Sequence, residues 1–414
     1  MTLRILHFAD AHIDMVNYGR QDPTTGLPIR VQDFLRSLDT IIDTAIDEKV
    51  DLVLFAGDAY KDRTPSPTYQ REWGKRIIRL SKAGIPTILL VGNHDISPSL
   101  GRAHSIQEFQ TLEVPNIHVA AKPGFLTPKD LGVPIQVITI PWVSRSEFIA
   151  AWNLTGKDAN VAYETMETRL SKRVDEWMAD LDKELPTILC AHASVQGAKY
   201  GSEQTVMLGS DVFLPGSLVK DPRFDYVALG HLHKAQNLNE GNHPPIVYSG
   251  SIERVDFGEA QDEKFFVIAS IDKGKTEVEW RRLKDIRPFY DCKVKITNGE
   301  ENITGKLTGS LPASEKIKEA VIRLSIQYPR DMESLIDENA VRKFAEEAFN
   351  LQIIRQPILE SRVRIPSDQA VSDLSPMDLL DLYWKTIDID PGEQEILNKL
   401  AEEILTENDL NEIG

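Results

Sequence analysis

At 414 residues the chain is longer than one compact core usually supports, which predicts two or three structural units. Its 41% hydrophobic and 27% charged content is that of an ordered globular protein, and a net charge of −17 argues against a broad basic surface for nucleic acid. The acidity is uneven, however: residues 366–414 hold 13 acidic and 2 basic side chains, a net −11. A nucleic-acid substrate is therefore disfavoured without being excluded, provided metal ions or a protein partner bring positive charge to the phosphates. No apolar run approaches the roughly 20 residues needed to cross a bilayer, so no membrane association is expected. The opening "MTLRILHFADAHID" is too short and too polar in its apolar run for a secretory segment. Cys190 and Cys292 stand far apart and form no CxxC pattern. A reducing, cytoplasmic setting is expected.

The first 280 or so residues repeat one grammar of apolar strand, polar loop and amphipathic helix. "LRILHFA" (3–9) reads as a buried strand, 31–49 as a helix, "DLVLFAG" (51–57) as a strand, 69–84 as a helix closed by Gly84, and "PTILLVG" (86–92) as the third strand. Such alternation predicts an α/β fold with a largely parallel sheet. Strands at 135–141, 187–192, 226–230 and 244–250 follow at longer intervals. "KFFVIASID" and "TEVEWRRL" form an antiparallel pair around Lys273-Gly274 that closes the domain at about residue 285. Residues 286–365 read as a small α+β domain. The remainder, 366–414, carries two helix starts: Ser375 ahead of Pro376 with Asp378 in the first turn, and Asp390 ahead of Pro391 with Glu393. "GEENITGKL" falls short of a phosphate-binding loop, with five residues between Gly299 and Gly305 and Leu307 where Ser or Thr would stand, so no ATPase site is expected.

Open parallel sheets place ligands at the C-terminal ends of their strands. Here those ends deliver Asp10 and His12 ("ADAHID"), Asp58 ("AGDAYKDR"), Asn93, His94 and Asp95 ("VGNHDIS"), His192 ("AHAS"), and His231 and His233 ("GHLH"). One such residue would be an ordinary turn or a structural histidine. Five successive strand ends converging in space are different, because clustered carboxylates repel unless cations sit among them. Carboxylate, imidazole and one amide oxygen suit Mn²⁺, Fe²⁺ or Zn²⁺ better than Ca²⁺ or Mg²⁺.

The series Asp-x-His, Gly-Asp, Gly-Asn-His-Asp, His and Gly-His-x-His resembles the signature of the calcineurin-like metallophosphoesterases. With "GDAYKDRTPSP", "GNHDISPS" and "YSGSIERVDFGE", residues 1 to about 365 look like the SbcD family of double-strand-break repair nucleases. The resemblance implies a β-sandwich flanked by helices (1–285), an α+β domain that caps DNA (286–365) and an acidic helical tail that grips an SbcC-type coiled-coil ATPase (366–414). It implies two divalent ions, with Mn²⁺ expected. Asp10, His12, Asp58 and His233 would hold one, and Asp58, Asn93, His192 and His231 the other, with Asp58 bridging. Such a pair activates water for in-line attack on phosphorus. His94 would protonate the departing oxygen, with Asp95 orienting its ring. Lys61 stands where some members carry a histidine, and Lys61 and Arg63 are read as DNA contacts. Arg254 is either a DNA contact or a structural ion-pair partner.

The function expected is a DNA nuclease, exonucleolytic at duplex ends and endonucleolytic on single strands or hairpins, working in DNA repair and recombination. A homodimer is expected, with Leu100, Ile106 and Phe109 contributing apolar contacts. A phosphatase or phosphodiesterase acting on a small molecule or phosphoprotein shares the same metal residues, and the extra domain and tail argue against it. An inactive scaffold would not need the full ligand set.

Overall fold

The computed structural model describes residues 2–96, 102–142, 159–199, 213–358, 375–384 and 389–411. In chain order the strands are β1 (Leu3–Phe8), β2 (Leu52–Phe55), β3 (Thr87–Leu90), β4 (Ile117–Ala120), β5 (Gly124–Leu126), β6 (Gln136–Ile140), β7 (Thr187–His192), β8 (Ser194–Val195) and β9 (Phe213–Leu214). They continue as β10 (Tyr226–Gly230), β11 (Gln236–Asn237), β12 (Ile246–Tyr248), β13 (Phe265–Asp272), β14 (Lys275–Arg282), β15 (Phe289–Lys295), β16 (Val321–Pro329) and β17 (Asn350–Ile358). Helices α1 (Ile29–Asp47) and α2 (Pro67–Lys82) fall within two residues of their expected limits.

The expected parallel sheet is two sheets. One has the order β14-β13-β1-β2-β3-β4 and the other β11-β12-β10-β7-β6-β5. β1 through β4 run parallel, as do β6, β7, β10 and β12, while β13, β14, β5 and β11 add antiparallel edges. The β13–β14 hairpin turns at Lys273-Gly274, as expected. Side chains alternate along β1. Leu3 and Ile5 enter a core shared with Val137, Ile188, Cys190 and Ala228 of the second sheet, whereas Leu6 and Phe8 pack with Phe34, Leu38 and Trp73 of α1 and α2. On the second sheet Ile138, Leu189 and Val227 face outward onto Val174 and Met178 of the helix Ala159–Asp180. Each central strand is thus buried on both faces, which is why these strands read as near-continuous apolar runs, broken in β1 by Arg4 and His7.

His7 lies on the inner face of β1, fully buried, with Nδ1 3.0 Å from the Tyr226 hydroxyl on β10. Burial lowers its pKa to about 3. A folded-state pKa below the unfolded value means that acid stabilises the unfolded chain first: stability is full above pH 6.5 and falls as pH drops toward 3. His7 alone should cost about 2 kcal/mol between pH 6.5 and 5. Urea midpoints at pH 7.5 and 5 should lie closer together in His7→Phe than in the parent; an unchanged gap would exclude His7 as a source of acid sensitivity.

The chain divides into two compact units. One comprises Met1–Asp291 with Glu315–Ile322 and Glu347–Asn350, the other Cys292–Ser314, Arg323–Glu346 and Leu351–Gly414. β15, β16 and β17 form a three-stranded sheet. Asn302 in the near-miss phosphate loop is a helix cap: its side chain accepts from the Gly305 N–H at 2.8 Å. In the tail both expected caps are present. Ser375 and Asp378 bond reciprocally at the start of the helix Pro376–Trp384, and Asp390 accepts from Gly392 and Glu393 N–H at the helix Pro391–Asn411. Trp384 Nε1 donates to Asn398 Oδ1 at 2.6 Å between these helices. Leu379, Tyr383, Ile396, Leu400 and Ile404 remain exposed. No helix among the described residues is long and apolar enough to cross a membrane.

Leu100 lies outside the described residues. Ile106 and Phe109 are corrected from surface contacts to core residues: both are buried with α1 and α2 and have no apolar area to offer a second chain.

Candidate metal centre

The five strand ends meet. Backbone bonds lace the loops after β1 and β2, Asp10 N–H to Gly57 O at 2.9 Å and Ala11 N–H to Asp58 O at 2.8 Å. From the other sheet, His231 N–H donates to both Asp10 carboxylate oxygens at 3.1 Å. Close approach requires glycine at the strand ends. A Cβ on Gly57, whose φ is +101°, would come within 2.4 Å of His192 Nδ1, and one on Gly92 within 2.1 Å of Asp58 Oδ1. Asp10, His12, Asp58 and His231 themselves have φ of 49°, 38°, 64° and 97°, a backbone region unfavourable to these side chains and tolerated where surrounding structure enforces it.

Ligand atoms of Asp10, His12 and His233 lie within 4.8 Å of one another, and so do those of Asp10, Asp58 and His192. Asn93 Oδ1 is 2.9 Å from His192 Nε2 and 3.0 Å from His231 Nδ1, which brings the amide and the fourth imidazole to the same place. Asp58 Oδ2 stands between the groups, 3.4 Å from His192 Nε2 and 3.9 Å from His12 Nε2. All seven expected ligands are thus together, with Asp10 reaching both sets as well as Asp58.

The donor chemistry fits a cation. His12 gives its Nδ1–H to Tyr60 O (3.2 Å), His192 to Ala56 O (2.7 Å) and His233 to Glu259 Oε1 (2.7 Å), since a carbonyl or carboxylate only accepts. With Nδ1–H so placed, each ring in the neutral form that ligates a metal turns an Nε2 lone pair inward. His12 and His233 aim those lone pairs at each other across 3.1 Å, an arrangement that repels unless positive charge lies between them. The titration tendencies show the same conflict. Burial raises Asp10 to about 7, with Asp58 adding to it, while burial and the His233 ring push His12 well below its ordinary value. Burial opposes charge on Asp58 and His192 too, but their mutual attraction wins, holding Asp58 well below the carboxylate range and lifting His192 to about 9.

His94 sits beside this cluster. Its N–H donates to Asp58 Oδ1 at 2.8 Å, its Nδ1–H is fixed by Lys61 O at 2.8 Å, and Nε2 lies 3.4 Å from Lys61 Nζ. Burial lowers its pKa, and Lys61 adds to the effect against the pull of Asp58. Lys61 and Arg63 are exposed.

Asp95 is a correction. Its carboxylate does not orient the His94 ring. It accepts from Asp58 N–H (2.9 Å), Ala59 N–H (3.1 Å), Gly92 N–H (2.9 Å) and Ser105 Oγ (2.8 Å), fully buried, and so ties the second and third strand-end loops together. Arg254 resolves as structural, its guanidinium donating to the carbonyls of Glu259, Arg287 and Asp262. Two features escaped sequence reading. Asp14 accepts from Lys61 and Asp62 N–H and fixes the Lys61 loop, and the half-buried Trp142 ring lies 4.9 Å from that of His231. Asp14 was signalled only by a second acidic residue after Asp10, and Trp142 by an aromatic closing β6.

Residues 3–235 match the family described as calcineurin-like phosphoesterase. The chain belongs to that family. Over 412 residues, 96% of either chain, it is 25% identical to the SbcD component of nuclease SbcCD from Escherichia coli K12, and equally to that of E. coli O157:H7. Among solved structures it is similar to a dimetal phosphatase from Danio rerio, with a TM-score of 0.43 and 11% identity over 68% of this chain and 96% of that one. The family's fold carries a dinuclear metal site, and the Asp/His groups described above stand where two ions would be held.

Proposed function

We propose that this phosphoesterase is a metal-dependent DNA nuclease of the SbcD type, acting on duplex ends as an exonuclease and on single strands or hairpins as an endonuclease. The observation that carries the reading is the likeness to the SbcD component of nuclease SbcCD along 96% of both chains, which extends past the phosphoesterase domain into the acidic tail. Asp10, His12, Asp58 and His233 would hold one ion and Asp58, Asn93, His192 and His231 the other, with Mn²⁺ preferred. Bound ions supply Lewis-acid stabilisation of phosphate oxygens and a more acidic water. The protein's own residues do the rest. Asp58 keeps the two ligand sets in register, Asp95 holds the loops of Asp58 and Asn93, and His94, once protonated at Nε2, gives that proton to the departing oxygen and returns to the neutral ring. Lys61, beside that nitrogen, and Arg63 contact the DNA backbone.

The test is digestion of duplex and hairpin DNA with manganese. His94→Ala should lower the rate by roughly 10²–10⁴-fold with Mn²⁺ binding retained, the range for loss of a general acid. Full-rate cleavage by this variant would remove the role given to His94. Turnover of an aryl phosphodiester with no DNA cleavage would favour the small-molecule phosphodiesterase instead.

Residues 286–365 would cap the DNA. The exposed Leu379, Tyr383, Ile396, Leu400 and Ile404, together with the acidic sequence of residues 366–414, suit docking on a basic coiled coil of an SbcC-type ATPase. Deleting residues 366–414 should abolish co-purification with that partner, and light scattering should give a dimer at micromolar concentration; retained binding or a monomer would refute the respective part. A cytoplasmic setting completes the reading, as two cysteines far apart in sequence and outside any CxxC pattern suggest.

A further inference from the structure

Among the imidazoles of the centre, His12 and His192 are steadied by backbone carbonyls, whereas His233 is steadied by a full negative charge. Glu259 ends a short 3₁₀ turn, Phe257–Glu259, capped by the Asp256 side chain on Gly258 N–H. Both of its oxygens are committed. Oε1 takes the His233 Nδ1–H at 2.7 Å, and Oε2 accepts from Lys264 Nζ at 2.5 Å, Ser251 Oγ at 3.1 Å and Val255 N–H at 3.1 Å. Lys264 also donates to Ser251 Oγ at 2.7 Å. Glu259 and Lys264 are buried to within 1% of their surface. Burying two charges at such depth is costly, and packing alone would be served as well by apolar side chains.

We infer that Glu259, anchored by Lys264 and Ser251, is a positioning residue that fixes the tautomer and aim of His233 and thereby sets the cation affinity of the Asp10–His12–His233 set separately from the other. A carboxylate on Nδ1–H pulls electron density toward Nε2 and makes the ring a stronger donor than a carbonyl does. Lys264 balances the carboxylate charge, so the triad is organised before any cation arrives. Glutamine at 259 would turn an N–H₂ toward the Lys264 ammonium or toward His233, and either choice breaks the alignment. The inference rests on the metal-site reading above and adds which residue governs one of its two halves.

The experiment is Mn²⁺ titration of the full chain by calorimetry, with melting temperature measured on each sample. The parent should take up two ions. Glu259→Gln should retain one at parental affinity and bind the other roughly 10- to 100-fold more weakly, the range for loss of such a partner. Ser251→Ala, which removes one of the anchors, should weaken the same ion several-fold in a protein that still melts cooperatively, only a few degrees lower, and it decides the matter should Glu259→Gln fail to fold. In a His233→Ala background, Glu259→Gln should have no further effect on Mn²⁺ affinity. Parental affinities in both Glu259→Gln and Ser251→Ala, or an additive loss in the double variant, would overturn the inference. If His233→Ala itself keeps both ions at parental affinity, the site reading fails; if it loses one while Glu259→Gln keeps both, only the role of Glu259 fails.

Discussion

Asp58→Asn should reduce phosphodiester hydrolysis on the order of 10³-fold or more, about 4 kcal/mol of transition-state stabilisation, while the protein remains folded. The reason is the position of one carboxylate between two groups of lone pairs. Oδ2 faces His192 at 3.4 Å and His12 at 3.9 Å, and Oδ1 accepts from His94 N–H at 2.8 Å. An amide is the same shape but brings a half-site of N–H donors and no charge, so one face of the cluster would meet hydrogens where it needs an acceptor. Bound Mn²⁺ should fall from two ions toward one or none, and the neighbouring His192 should lose its main source of positive character. Cleavage within ten-fold of the parent, with two ions still bound, would remove Asp58 from its place between the sets.

The location of this residue is legible in the sequence, and the reason is local. Buried central strands such as β2, β3 and β7 leave short apolar runs, and in β1 the run is broken only by Arg4 and His7, so the polar residues that close each run lie at a strand end. Asp10, Asp58, Asn93, His192 and His231 can therefore be put at one edge of a sheet by counting. Which side chain touches which cannot. Asp95 is adjacent to His94 in sequence and is expected beside its ring, yet neighbours in a tight turn point apart, and the orphan N–H groups of Asp58, Ala59 and Gly92 claim the carboxylate instead. The split into two sheets is equally invisible to strand grammar, because β6 and β7 read like β2 and β3; only the resemblance implied a sandwich. Ile106 and Phe109 show the limit on surface inference, since an apolar residue in the segment after a metal motif looks the same whether it faces a partner or its own core. Glu259 lies within a quoted motif, but its partner His233 is 26 residues away, beyond any helical or strand periodicity.

The carboxylate at position 95 yields the other large effect, and it falls on stability first. Asp95→Asn should cost about 3 kcal/mol, read from urea denaturation, because the amide nitrogen faces backbone N–H groups and leaves at least one of them buried without an acceptor. An ionised acceptor bonded to several N–H groups at 2.9–3.1 Å is also stronger than its neutral replacement. Ser105→Ala removes only the hydroxyl at 2.8 Å and should cost about 1 kcal/mol. Activity should fall with the structure, since Asp58 and Gly92 belong to two loops that Asp95 draws together through the single oxygen Oδ2. A ring-orienting aspartate would give the opposite pattern: catalysis lost at parental stability, with His94→Ala and Asp95→Asn equivalent in rate. Parental stability in Asp95→Asn combined with a His94-like rate defect would therefore restore the role that sequence proximity suggests and that the hydrogen bonds contradict.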